Sequence, residues 1–212
     1  VNVIVIASNR NVDLLPKFAE QFNRHWKRDQ DVIAIHSEVP PQKLPENFLT
    51  IRAKGEEKNY GRAWGPSFAH IVEKMPDDRF LLLLEDHFLV EDVNHDRMKW
   101  ADSYFEKKAR PVKVDVSGAH TINKHIPFDG DMIRVHPDAR HRYALQPAIW
   151  DRDYFVQCIA RSGYSIWQIE DRLSIENADD GAIILGVKTP IIKFMNMRNN
   201  GVPKPIRPIW NR

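Results

Sequence analysis

The segment Phe80-Leu81-Leu82-Leu83-Leu84, followed at once by Glu85-Asp86-His87, constrains this chain more than any other stretch. Five apolar residues in a row are too few for a membrane span and read as a strand covered on both faces of a sheet. Strands of that kind belong to α/β domains, where helices pack on both sides. Two carboxylates and an imidazole then arrive at its C-terminal end. In an open α/β sheet that edge is where ligands bind. Oxygen ligands there suit Mg²⁺ or Mn²⁺, and either ion can hold a diphosphate. Taken alone, the same residues also describe a strand ending in a solvated acidic turn.

The preceding residues supply a context. Val1 to Ile6 reads as a first buried strand, and residues 12–26 show helical spacing through Leu14, Leu15, Phe18, Phe22 and Trp26. Residues 32–35 and 48–51 read as short strands, separated by a loop holding Pro40, Pro41 and Pro45. A helix over 64–75 puts Phe68, Ile71, Val72 and Met75 on one face, and a strand over 80–90 follows it. This alternation predicts a parallel sheet built with right-handed crossovers.

The second half is less regular. The pattern predicts a helix within 93–108, a strand within 111–122 and a long His- and Arg-rich connection over 120–142. A strand over 143–150, a helix over 151–161 ended by Gly163, a helix after Trp167 and a strand over 182–187 follow. The tail, with Pro190, Pro203, Pro205 and Pro208, is excluded from continuous helix and from a central strand.

Composition narrows the class. With 212 residues, 42% apolar and 28% charged, the chain is long enough for one domain with a sizeable core. The formal charge is only +2, but no acid follows Asp180 while Lys188, Lys193, Arg198, Lys204, Arg207 and Arg212 remain. That basic tail suits an anionic contact or a solvated terminus. Cys158 is the single cysteine, so no disulfide forms within these residues, and its helical setting suits packing. Val1-Asn2-Val3-Ile4-Val5-Ile6 lacks the basic lead of a signal peptide, and no stretch is long enough to span a bilayer. A cytoplasmic enzyme or binding protein is the expectation.

Ser8-Asn9-Arg10 follows the first strand, where doubly wound sheets read nucleotides, but no Gly-x-Gly-x-x-Gly or Gly-Lys-Ser/Thr loop is present. Leu82-Leu83-Leu84-Glu85-Asp86-His87-Phe88, the block Leu145-Gln146-Pro147-Ala148-Ile149-Trp150 and the later Trp167-x-x-Glu170 come in an order that resembles nucleotide-sugar transferases of the GT-A fold. The likeness is to small bacterial and phage GT-A-like proteins often found among surface-polysaccharide genes.

That resemblance implies one GT-A-like α/β domain over 1–212, with a mixed, mostly parallel central sheet flanked by helices. Residues 1–92 would form the nucleotide-binding half, 93–187 the acceptor-side half and 188–212 the basic tail. It further implies a metal-dependent, inverting transfer of sugar from a nucleotide diphosphate donor. Asp86 matches the acid on the divalent cation (Mn²⁺ or Mg²⁺), Glu85 the acid facing the donor, and His87 stands where a third acid is usual, as a second ligand to the cation. Ser8, Asn9 and Arg10 match the loop around the base, Glu38 the residue near the nucleoside, and Trp64 joins the donor side. Glu170 and Asp171 match the late acidic pair that supplies the base, and either can fill that role. Trp150 and Trp167 would wall the acceptor, with Arg140, Arg142 and Arg198 as acceptor or phosphate contacts. The acceptor class stays open between a saccharide and a hydroxylated base in phage-type DNA. A non-catalytic nucleotide or nucleic-acid binding module on the same fold is the alternative.

Overall fold

The computed structural model describes residues 1–37, 39–53, 64–165, 168–176, 180–199 and 202–203, the side chains of 64, 66, 67, 199, 202 and 203 excepted. Strands β1 (Asn2–Ala7), β2 (Val32–His36), β3 (Phe48–Arg52) and β4 (Arg79–Leu84) form a parallel block in the spatial order β3-β2-β1-β4. Helix α1 (Leu15–Trp26) links β1 to β2, and α2 (Trp64–Val72) precedes β4. Then come β5 (His87–Leu89), α3 (His95–Asp102), β6 (Lys113–Asp115), β7 (His125–Asp129), β8 (Met132–Val135), β9 (Ala148–Asp151), α4 (Arg152–Tyr154), β10 (Ile184–Val187) and β11 (Phe194–Asn196). Past β4 the nine-stranded sheet continues as β9-β6-β10-β8-β7. Strand β9 runs antiparallel to β4 and β6, so β4 and β6 end at the same edge.

Alternation along β1 and β4 explains why both are apolar throughout. Val3, Val5, Ala7, Leu81 and Leu83 enter the core beneath α1 and α3. Ile4, Ile6, Phe80 and Leu82 enter the opposite core, beneath α2 and the helical segment after β9. Helix α1 buries Leu15, Phe18, Ala19, Phe22 and Trp26 as one stripe. Its Phe22 and Trp26 rings stack at 4.8 Å and Phe48 of β3 meets Phe22 edge-on at 5.8 Å. Each such ring contributes about 1.5–3 kcal/mol by leaving water. On the other face Gly65 lets α2 approach the backbone at Ala160, where an added Cβ would lie 2.1 Å from the carbonyl oxygen.

Four expectations are corrected. The strand expected over 80–90 ends at Leu84; Glu85 and Asp86 turn, and β5 leaves the sheet to pair with β11. The connection expected over 120–142 contains the hairpin β7–β8, turning at Gly130 (φ +58°) and forming the sheet's outer edge. The strand expected over 143–150 is regular only as β9, because side chains take the backbone groups of its first half: Ser174 Oγ accepts from Tyr143 N–H, Lys113 donates to Ala144 O, and Glu170 accepts from Leu145 N–H. The helix expected over 151–161 starts at α4, where Asp151 caps Tyr154 N–H at 2.7 Å. It then widens into a π-helical turn over Phe155–Ile159 before ending at Gly163 (φ +72°). Among the described residues no helix is long and apolar enough to cross a membrane.

Candidate active site at the carboxyl edge of the sheet

Glu85 follows the last residue of β4 and turns back beneath the loop after β1. Its Oε1 accepts from Ser8 N–H at 3.1 Å and from Ser8 Oγ at 2.9 Å. The side chain is nearly inaccessible, with the residue 4% exposed. Burial, then the neighbouring Asp86 charge, push its carboxyl up to about 7 against the two Ser8 hydrogen bonds. Ser8 and Glu85, 77 positions apart, are therefore one unit at the ends of adjacent parallel strands. Asn9 extends it sideways: its Oδ1 accepts from Val39 N–H at 3.0 Å, tying the β1 loop to the segment after β2. Glu38 lies outside the described residues.

Asp86 sits at the turn itself, its side chain 16% exposed, and its carbonyl accepts from Met197 N–H at 3.0 Å. His87 enters β5 and is buried at 1%. Its Nδ1 accepts from Leu84 N–H at 3.2 Å, and its ring tilts against Phe194 at 4.6 Å. Burial holds the imidazole neutral, its pKa pulled down to about 3. A neutral ring that accepts at Nδ1 carries its proton on Nε2, so neither nitrogen offers a lone pair outward. The expectation of His87 as a cation ligand is corrected on this ground: it clamps the turn that presents Asp86.

The tail returns to this edge. Arg198 donates to the Arg10 carbonyl at 2.8 Å, and its guanidinium meets both Asp13 carboxylate oxygens at 2.9 and 2.6 Å. Glu85 and Asp86 also act on it electrostatically. Arg198 thus braces the loop after β1, which carries Asn9 and the exposed Arg10.

Across the edge, Leu82 and Asp115 both pair with Ala148, so residues 143–145 leading toward β9 lie beyond the carboxyl end of β4. Glu170 reaches this segment from the π-helical turn Ile169–Leu173 and accepts from Leu145 N–H through Oε1 at 3.2 Å. It does not cap its own helix. Burial raises its pKa, opposed by Leu145 N–H, His141 and Lys113. Asp171 points elsewhere: it lies 3.4 Å from His141 Nδ1 and is 59% exposed.

Other expected acceptor contacts are relocated. Trp150 is fully buried in the sheet, packed edge-on against Phe155 at 5.3 Å, and is core rather than a wall. Arg142 is buried too: it donates to Tyr143 Oη at 3.2 Å, pairs with Asp180 at 3.3 Å and bonds the Ala182 carbonyl. Its buried guanidinium is out of reach of an acceptor. Arg140 is exposed. Trp167 lies outside the described residues, as does the side chain of Trp64, although Trp64 opens α2 as expected.

The sequence reading missed a buried polar cluster behind Glu170. Lys113 donates to Ala144 O at 2.6 Å and meets His120 Nε2 at 3.3 Å, while Asp115 accepts from Ser117 N–H and Oγ. All three of Lys113, Asp115 and His120 are fully buried. The signal was present in Pro111-Val112-Lys113-Val114-Asp115-Val116, whose alternation reads as a half-solvated strand. In a strand flanked by β9 and β10 with both faces covered, the same alternation buries the charges.

No family model matches the chain, and no curated protein sequence matches it. Solved structures do. A Staphylococcus aureus TarS structure of residues 1–349 aligns at TM-score 0.54 with 12% identity, covering 91% of this chain and 59% of that one. The same protein in complex with UDP-GlcNAc aligns at 0.51 with 13% identity, over 91% and 57%. CMP:2-keto-3-deoxy-manno-octonic acid synthetase complexed with CTP aligns at 0.51 with 10% identity, over 92% of both chains. The chain thus spans little more than half of the TarS structure it matches. Together with the strand order, these likenesses establish the architecture: the chain has a GT-A-like α/β fold, a mostly parallel central sheet flanked by helices.

Proposed function

We propose that this chain transfers a sugar from a nucleotide diphosphate donor to an acceptor hydroxyl. One observation carries the reading: Ser8, Glu85 and Asp86 are joined at the carboxyl ends of β1 and β4, and Glu170 stands on the far side of the same edge. The TarS likeness, with UDP-GlcNAc named for that protein, supports the donor class.

Among the described residues no three His, Cys, Asp or Glu side chains gather as a cation cage. Mg²⁺ needs none, since it is held by one or two carboxylates with the remaining positions filled by phosphate oxygens and water. Asp86, partly exposed beside a buried Glu85, fits that donor set. A cation there would neutralise the diphosphate as it leaves. In the transfer the acceptor oxygen bonds the anomeric carbon, the carbon–phosphate oxygen bond breaks, and the diphosphate takes the electron pair. Glu170 takes the acceptor proton, with Oε1 fixed on Leu145 and Oε2 toward the acceptor. A half-buried carboxylate with a raised pKa suits a general base, whereas Asp171 is 59% exposed and turned to His141. Single displacement of this kind inverts the anomeric centre.

A saccharide is the acceptor class favoured here. DNA would require a row of exposed cations, and of the expected contacts Arg140 is exposed but Arg142 is buried and Arg198 grips Asp13. Thermal shift with UDP-, GDP- and CMP-sugars, and with CTP, each with and without Mn²⁺, tests the proposal. A donor at a hundredfold excess over its Kd adds about 2.7 kcal/mol, or about 5–10 °C in Tm. Stabilisation requiring both a nucleotide sugar and Mn²⁺, and lost in Asp86→Ala, is the expected outcome. Unchanged donor binding in Asp86→Ala removes the metal assignment, and a response to CTP alone moves the chemistry to nucleotidyl transfer. Acceptor binding that collapses with salt restores DNA.

A further inference from the structure

A single peptide group lies between two ionisable side chains. Lys113 Nζ donates to the Ala144 carbonyl oxygen at 2.6 Å, and the N–H of the same peptide, on Leu145, donates to Glu170 Oε1 at 3.2 Å. A second tie runs beside it: Ser174 Oγ donates to the Glu170 carbonyl at 2.7 Å and accepts from Tyr143 N–H at 3.2 Å. The helical turn bearing Glu170 and the segment entering β9 are thereby fixed to each other, with Lys113 reaching them from β6.

We propose that Lys113 is a positioning residue for Glu170, acting through the Ala144–Leu145 peptide. An ammonium on the carbonyl polarises the peptide and strengthens its N–H as a donor, because linked hydrogen bonds reinforce one another. That donor fixes one carboxylate oxygen, which leaves the other directed at the acceptor side. It also favours the ionised carboxylate, the form a base requires. This rests on the reading of Glu170 as the base, and adds what holds it.

The surroundings allow Lys113 to be charged and also limit it. Asp115, His120 and Arg142 face it from β6, the turn after β6 and the segment before β9; His141 and Asp171 face Glu170. Burial and the neighbouring Lys113 hold His120 neutral, so its Nε2 accepts from the ammonium. Burial pulls Lys113 down to about 8, with Asp115 and Glu170 pulling the other way. The support is therefore at full strength while Lys113 is protonated and weakens as it loses its proton.

Carboxyl ¹³C NMR on glutamate-labelled protein reads this without any ligand. In the wild type the Glu170 resonance should show its own titration and a second inflection near pH 8 as Lys113 loses its proton. In Lys113→Met the second inflection should vanish and the first move up by about one pH unit, a tenfold change in proton affinity. A wild-type resonance with a single inflection overturns the proposal, and this result needs no variant to fold. The catalytic consequence is read with the nucleotide sugar that stabilises the protein, comparing Lys113→Met, Glu170→Gln and the double variant. Lys113→Met should raise the acid limb of the kcat profile with donor KM unchanged, and the double variant should be no slower than Glu170→Gln. Losses that multiply in the double variant, or a Lys113→Met profile matching wild type, overturn it. Full turnover in Glu170→Gln instead refutes the base reading itself.

Discussion

Removing the Asp180 carboxylate should cost more stability than removing the guanidinium it pairs with. Asp180 accepts from Tyr143 Oη at 2.8 Å, Tyr154 Oη at 2.5 Å and Ala182 N–H at 2.9 Å, and meets Arg142 at 3.3 Å. Arg142 is 1% exposed, so Asp180→Ala takes a carboxylate away from a buried cation. Breaking a buried pair in this way costs about 3–5 kcal/mol. The Asp180 side chain is 21% exposed and water can enter its place, which sets the expectation near the lower end, about 3 kcal/mol. Arg142→Met leaves a carboxylate that keeps three donors, and should cost only about 1–2 kcal/mol. The double variant should then cost about 1–2 kcal/mol less than the two single losses added together. Urea unfolding at pH 7 measures all three, and with a slope of about 2–3 kcal/mol/M Asp180→Ala lowers the midpoint by about 1 M. The pH dependence has a defined sign. Burial opposes the Asp180 charge, but the Tyr154 hydroxyl, Ala182 N–H, Tyr143 hydroxyl and Arg142 together hold its pKa below the ordinary range. Its contribution is therefore complete above the unfolded pKa and fades as pH falls through the lower folded value, so wild type and Asp180→Ala converge only below about pH 4. Arg142→Met costing as much as Asp180→Ala, or losses that add in full, would refute the reasoning.

Gly65→Ala should destabilise by about 2 kcal/mol in urea, because a Cβ 2.1 Å from a backbone oxygen forces α2 outward at a cost near 3 kcal/mol that exceeds the roughly 1 kcal/mol helix gain. Phe22→Ala should lose about 3–5 kcal/mol by emptying the stack between Trp26 and Phe48, measured the same way. Glu170→Gln keeps an acceptor for Leu145 N–H, so its Tm should hold while turnover falls by about 10²–10⁴-fold; Asp171→Asn, at an exposed pair, should change turnover by less than about fivefold.

The first ninety residues were legible because their periods are clean. Helix α1 shows one apolar stripe, and the run before Glu85 has no polar residue to betray a solvent face. The turn at Glu85-Asp86 was legible as an edge but not as a break, since His87-Phe88-Leu89-Val90 continues the apolar pattern while belonging to a separate ladder. The second half of the chain was obscure for a different reason. Lys113, Asp115, His120 and Arg142 are charged or polar residue types that ordinarily face water, and only long-range partners such as Ala144 O and Asp180 make their burial tolerable. Sequence reading placed Glu170 and Asp171 as a pair; the backbone around Leu145, 25 positions away, distinguishes them.

Arg198 and the Arg10 carbonyl are 188 positions apart along the chain. During synthesis the loop after β1 must therefore wait for those intervening residues before its brace is made. A nascent chain halted at β10 has every strand of the main sheet yet none of the β5–β11 ladder or the Arg198 clamp. Ribosome-bound intermediates of this protein should acquire their sheet before the loop after β1 is braced.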